Sequence, residues 1–289
     1  PLNSYYFRDF SISVSGNSIL IAYVNCTITK EGYTKYYNWT LNIAEMNLNG
    51  ELILRKTLLN YTSTSSEQIY RCLSLNVNDQ LAYISYLNKT TRGYRSYTYL
   101  QVIQYNITSH NYTLIASHYN YDYTLTRYLE SILNENKLNI LMHLTREIIF
   151  IKVDLSVGNI TMLSSTTDME INPNSYGAIS HITSINNSIF ISYESYNTYE
   201  IYLTKIVDEI IEFTDKRLTL TSIMKFWSKN IQSKYYNNSL YILIRVKTAY
   251  GNGAKLYKLN IENNSIISVS YTHLRAHETE ADLVCRLLL

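Results

Sequence analysis

The stretch GNSILIAY, Gly16 to Tyr23, is an Asn-centred turn that runs directly into an alternating apolar strand. The same phrase returns four times: NDQLAYISY (Asn78 to Tyr86), ENKLNILMHL (Glu135 to Leu144), NNSIFISY (Asn186 to Tyr193) and NNSLYILI (Asn237 to Ile244). Aligned on Ser18, Gln80, Lys137, Ser188 and Ser239, the copies step by 62, 57, 51 and 51 residues. Each copy follows another short run, such as FSISV (Phe10 to Val14) or AISHITSI (Ala178 to Ile185). Two such runs around a short Asn-rich turn predict a β-hairpin.

A second hairpin follows within the unit. WTLNIAEMNLNGELILRKTL (Trp39 to Leu58) folds back at Leu48, Asn49 and Gly50, and IIFIKVDLSVGNITML (Ile148 to Leu163) at Val157, Gly158 and Asn159. KLYKLNIENNSII (Lys255 to Ile267) does so at Glu262, Asn263 and Asn264. Two consecutive hairpins make a four-stranded meander, and its repetition every 50 to 60 residues is the pattern of propeller blades. The chain therefore resembles the β-propeller superfamily over residues 10 to 267. The resemblance is architectural: no Trp-Asp blade signature, kelch double glycine or sialidase Ser-x-Asp-x-Gly box occurs. It implies an all-β propeller of at least five four-stranded blades, in units of about 10–60, 70–118, 128–165, 177–220 and 229–268.

Residues 269–289 read in a different idiom. VSYTHLRAHET (Val269 to Thr279) is similar to one frame of a transposon-end sequencing adapter, and LVCRLLL (Leu283 to Leu289) to the flow-cell primer that follows it. On that reading the tail is non-native, His273, His277 and Cys285 carry no chemistry, and five blades is a minimum. The propeller is then expected to be truncated at its C-terminus, and Pro1 is a processed end or a cut edge.

Composition bounds the function. A net charge of +2, with 17% charged residues, gives no nucleic-acid footprint. The apolar runs, such as Ile19 to Val24, are far shorter than the ~18 residues of a membrane helix, so no span is expected. Thirty tyrosines and few charges fit an extracellular or cell-surface protein. Ten Asn-x-Ser/Thr sequons, at Asn25, Asn38, Asn60, Asn88, Asn106, Asn111, Asn159, Asn186, Asn237 and Asn263, read as glycosylation candidates at strand ends and turns. Turn chemistry accounts equally for those in the NNS hairpins. Cys26 and Cys72 are open to two readings, an inter-blade disulfide or two buried thiols.

The longer connections, Cys26 to Asn38, Asn60 to Tyr70 and His118 to Leu129, read as loops on one side of the disc and form the candidate ligand face. They and the segment around Tyr94 are aromatic, with Tyr33, Tyr36, Tyr94, Tyr97, Tyr121 and Tyr123, and Arg127 among them. Rigid rings with a polar tip suit a glycan or a protein ligand. His110, His118, His143 and His181 show no zinc spacing, and no phosphate loop or nucleophile elbow occurs, so no metal, cofactor or catalytic residue is expected. The acids Glu67, Asp122 and Glu130 are placed in loops. The leading expectation is a secreted recognition or adhesion propeller without catalysis. The alternative is a polysaccharide-acting enzyme, a glycoside hydrolase or lyase, with carboxylates at the disc centre.

Overall fold

The computed structural model describes residues 5–64, 69–78, 80–92, 95–119, 128–143, 148–165, 180–185, 188–195, 200–207, 210–219, 231–237, 239–248, 251–260 and 266–269. The chain is all-β, built of four-stranded antiparallel meanders of the propeller-blade type. It divides into two compact units, residues 1–168 and 169–289.

The first unit holds three sheets. Sheet 1 is β1 (Tyr5–Ser15), β2 (Ser18–Glu31), β3 (Thr34–Asn47) and β4 (Leu52–Ser63). Sheet 2 is β5 (Tyr70–Asn78), β6 (Leu81–Arg92), β7 (Arg95–Asn106) and β8 (Tyr112–Tyr119). Sheet 3 is β9 (Tyr128–Asn134), β10 (Lys137–His143), β11 (Ile148–Asp154) and β12 (Asn159–Ser165). The second unit has sheet 4, β13 (Ser180–Ile185), β14 (Ser188–Ser195), β15 (Glu200–Val207) and β16 (Ile210–Thr219). Its sheet 5 is β17 (Ile231–Tyr236), β18 (Ser239–Thr248), β19 (Gly251–Asn260) and β20 (Ile266–Val269). Strand β20 is short and runs one residue into the foreign-looking segment; the rest of that segment lies outside the described residues.

Alternation explains the stacking. Leu20, Ala22, Val24 and Cys26 of β2 join Trp39, Leu41 and Ile43 of β3 on one face. That face packs on Leu73, Leu75, Ala82, Ile84, Tyr86, Ile103 and Tyr105 of sheet 2. The opposite face of sheet 2 carries Leu87, Leu100, Val102 and Ala116, which pack on Leu138, Ile140, Met142 and Ile151 of sheet 3. Period-two side chains thus feed two cores from one sheet.

The first strands of successive sheets are neighbours, β1 with β5 and β5 with β9 in the first unit, and β13 with β17 in the second. Serines make the approach in the first unit. Leu75 N donates to Ser11 Oγ at 3.0 Å, and Ser131 N donates to Ser74 Oγ at 2.9 Å. Ser85 Oγ lies 2.9 Å from Ser131 Oγ, and Asn76 Nδ2 donates to Ser131 Oγ at 2.7 Å. Small hydroxyl side chains let the strands come close and satisfy backbone groups that a wider core would leave unpaired. The other face of β1 presents Phe10, Ile12 and Val14 to solvent.

Two sequence expectations are corrected. Cys26 to Asn38 is not a loop, because β2 and β3 continue as a ladder to the Glu31–Thr34 pair with only Gly32 and Tyr33 at the turn. Gly32 takes φ +60°, the left-handed conformation a tight hairpin needs. Asn25, Asn38, Asn60 and Asn88 consequently sit within β2, β3, β4 and β6, not at strand ends or turns.

Candidate active site

An even number of strands returns each meander to the end at which it began. In the first unit the β2–β3, β6–β7 and β10–β11 turns therefore share one end with the β4–β5 and β8–β9 links. The first strands β1, β5 and β9 also start there, and polar residues near those starts form one cluster. Asp9 Oδ2 accepts from the backbone N–H of Cys72 at 2.5 Å and of Leu73 at 3.3 Å. Both strands are irregular at this point, with register shifts between Phe7 and Asp9 and between Arg71 and Ser74. Cys72 adopts φ +56°. The bulges turn amide donors out of the ladder, and Asp9 gathers them.

Burial pushes the Cys72 thiol up to about 12, the Asp9 charge adds to this, and the Arg71 guanidinium opposes it. A thiol held protonated at neutral pH is no nucleophile. On β9 the enclosed Tyr128 phenol is also pushed far above its ordinary value, chiefly by burial. The Glu130 carboxylate is the next cause, and the charges of Cys72 and Asp9 add less. Asp9 and Arg71 thus act on Cys72, and Glu130, Cys72 and Asp9 act on Tyr128, across three strands. The arrangement brings together two carboxyl groups, one guanidinium, one thiol and one phenol. Among the described residues no group of His, Cys, Asp and Glu side chains is arranged to hold a metal.

The same shifts set an alkaline limit. Tyr70 is raised to about 12, first by burial and then by Tyr61, and burial raises Tyr86 as well. Groups raised in the folded state stabilise it fully below their unfolded values, near 9.0 for Cys72 and 10.0 for Tyr70. That stability is lost as pH climbs toward 12. The denaturation midpoint should hold to about pH 9 and fall steeply above it, as read by circular dichroism across a pH series.

The residues singled out in the sequence are scattered. Tyr33 is fully exposed at the β2–β3 turn, Tyr36 is half-buried on β3, and Tyr97 is half-buried on β7. Tyr94, Tyr121, Tyr123 and Arg127 lie outside the described residues, as do Asn186, Asn263, Glu67 and Asp122. Glu130 belongs to β9, not to a loop. Cys26 and Cys72 do not form a disulfide. Cys26 lies in the core between sheets 1 and 2, whereas Cys72 packs against the core between sheets 2 and 3. Asp9 and Arg71 escaped the sequence reading; the available signal was a charged residue inside the first run of a repeat.

Of the described sequons, Asn60, Asn111, Asn159 and Asn237 are exposed, and Asn25, Asn38, Asn88 and Asn106 are half-buried. Asn88 Nδ2, the atom a glycan would occupy, donates to Gln101 Oε1 at 3.0 Å. Among the described residues no helix is long and apolar enough to cross a membrane.

No protein-family profile matches the chain, and no curated protein matches it. Solved structures do. The catalytic domain of a GH62 α-L-arabinofuranosidase from Coprinopsis cinerea gives a TM-score of 0.45 at 8% identity, over 73% of this chain and 71% of that one. A GH43_1 enzyme from Xanthomonas citri, complexed with xylotriose, gives 0.45 at 9% identity over 92% and 93%. YjhT gives 0.48 at 8% identity over 91% and 84%. At such identities no side chain is carried from one protein to another.

Proposed function

We propose that the chain is a carbohydrate-active propeller, and that Asp9 and Glu130 make it a glycoside hydrolase acting on polysaccharide. One observation supports this above the others. The Glu130 carboxylate and, less strongly, the Asp9 carboxylate act on the enclosed Tyr128 phenol from first strands of different sheets, and Asp9 also acts on Cys72 beside Arg71. Glycoside hydrolysis uses a pair of carboxyl groups, one giving a proton to the leaving oxygen and the other activating water or attacking the sugar. Asp9, anchored by two amides, has the fixed carboxylate such a role requires. Tyr128 stays protonated, and its hydrogen bond to Glu130 would hold that carboxyl group in place.

A second reading, recognition without turnover, draws on the same hydrogen bonds. Two of the acceptor positions of Asp9 serve neighbouring backbone, a structural task in itself. The experiment is incubation of the chain with arabinan and xylan, after the arabinofuranosidase and the xylotriose complex named above, and with β-1,3-galactan and sialylated glycans beside them. Release of sugar from one of them supports hydrolysis. Binding without release supports recognition, and neither result sinks both.

Export to the cell exterior belongs to the same proposal. In a glycosylating host, peptide mapping should find glycans on Asn60, Asn111, Asn159 and Asn237 and leave Asn88 bare. Glycan on Asn88 with the exposed sites bare would contradict it.

A further inference from the structure

A second polar and aromatic surface lies on sheet 2, away from the carboxylates. Register places Asn88 of β6, Tyr97, Tyr99 and Gln101 of β7, and Ser117 and Tyr119 of β8 on one face. The Tyr119 ring meets Tyr97 and Tyr99, each at 5.5 Å between centroids, tilted by 53° and 49°. Gln101 is held on every side: Tyr86 Oη and Asn88 Nδ2 donate to its Oε1 at 2.9 and 3.0 Å, and its Nε2 donates to Ser117 Oγ at 3.1 Å. Across from it, the face of sheet 1 turned to sheet 2 carries Tyr61, which pairs with the core residue Trp39. Tyr61 is 44% exposed and Tyr119 40% exposed.

We propose that this face is a second carbohydrate-binding surface, taking a neutral polysaccharide chain on the Tyr97–Tyr99–Tyr119 rings. Rings fixed by one another lose little entropy on binding, and their faces match the C–H faces of a pyranose ring. Two strand residues span ~6.8 Å, so Tyr97 and Tyr99 offer an extended footing along a chain. The amides and hydroxyls beside them supply partners for sugar hydroxyls. Asn88, Gln101 and Ser117 beside the rings are uncharged hydrogen-bonding groups, which suit the hydroxyls of a neutral polymer. Tyr97 and Tyr119 lie at the same end of sheet 2 as Arg71 and Cys72, two and three strands away from them. Binding at the rings does not depend on the hydrolytic reading.

The test is affinity electrophoresis of the full chain through gels containing arabinoxylan, arabinan or galactan. Retardation should occur in at least one gel. Tyr97→Ala and Tyr119→Ala should each weaken it about tenfold or more, while Tyr97→Phe and Tyr119→Phe keep it within about threefold. Tyr97→Ala should also leave hydrolysis of a small aryl glycoside unchanged. Retardation that survives both Ala substitutions overturns the proposal, as does no retardation in any gel. Retardation lost only in the Asp9→Asn, Glu130→Gln double variant puts the polymer at the carboxylates alone, which overturns this surface and leaves the proposed function standing. If the Ala variants fail to fold, tetranitromethane nitration of the unsubstituted chain decides. Slower nitration of Tyr97 and Tyr119 in the retarding polysaccharide supports the surface, and an unchanged rate overturns it.

Discussion

Trp39→Ala should destabilise the first unit by ~3–5 kcal/mol, the range for truncating a large buried aromatic residue. The indole is 1% exposed and belongs to the core shared by sheets 1 and 2, with Leu41, Ile43, Leu73 and Leu75. Its removal leaves a cavity that strands held by full ladders on both sides cannot collapse to fill. Trp39→Phe separates volume from hydrogen bonding. The buried indole Nε1 has no hydrogen-bond partner among the described residues, so the native state already bears a desolvation cost of ~1–3 kcal/mol that Phe would relieve. Urea denaturation should therefore place Trp39→Phe much closer to the unsubstituted chain than Trp39→Ala. Equal losses would show that the indole N–H finds a partner, and that the core argument is wrong.

Gly158→Ala should be the most damaging of the described glycine substitutions. Gly158 sits in the turn between β11 and β12 with φ +71°, where an L side chain costs ~1–2 kcal/mol. A Cβ there would also collide with the backbone carbonyl of Ile115 on β8, which has no flexible end to give way. Relief requires sheet 3 to move from sheet 2 at their outer edge, beside Ile115 and Ile160 in the shared core. Gly50 provides the internal comparison: φ is +84°, but a Cβ there meets nothing within 4 Å. Gly50→Ala should show the backbone cost alone, and Gly158→Ala clearly more. Equal denaturation midpoints for the two would refute the close approach of β8 to that turn.

The repeat was legible because each hairpin announces itself locally. Asn or Gly supplies the turn, and the following residues alternate between a core and its opposite face, as Leu20, Ala22 and Val24 do. The hairpin ends were misread for a reason in the same physics. In CTITKEGYTKYYN the residues from Thr29 to Lys35 are exposed on both faces, so the alternation that marks burial fades. Thr and Tyr still favour extended backbone there, and the ladder continues on hydrogen bonds. The cysteines were undecided because their sides depend on a bulge. The extra residue between Arg71 and Ser74 puts Tyr70 and Leu73 on one face and Cys72 on the other. The carboxylate cluster was invisible because its members are far apart in sequence, Asp9 meeting Cys72 and Tyr128 through strand neighbours. No local pattern encodes such a meeting.

The most direct test of the account is turnover by Asp9→Asn and Glu130→Gln on whichever polysaccharide the unsubstituted chain cleaves, with urea midpoints measured alongside. Both substitutions keep the side-chain shape and remove a carboxylate. The account predicts that each lowers kcat/KM by ~10²-fold or more, the scale of a lost acid or base, while Glu130→Gln leaves the chain folded. Turnover undiminished in both folded variants would contradict it, and would leave Asp9 and Glu130 as struts between strands.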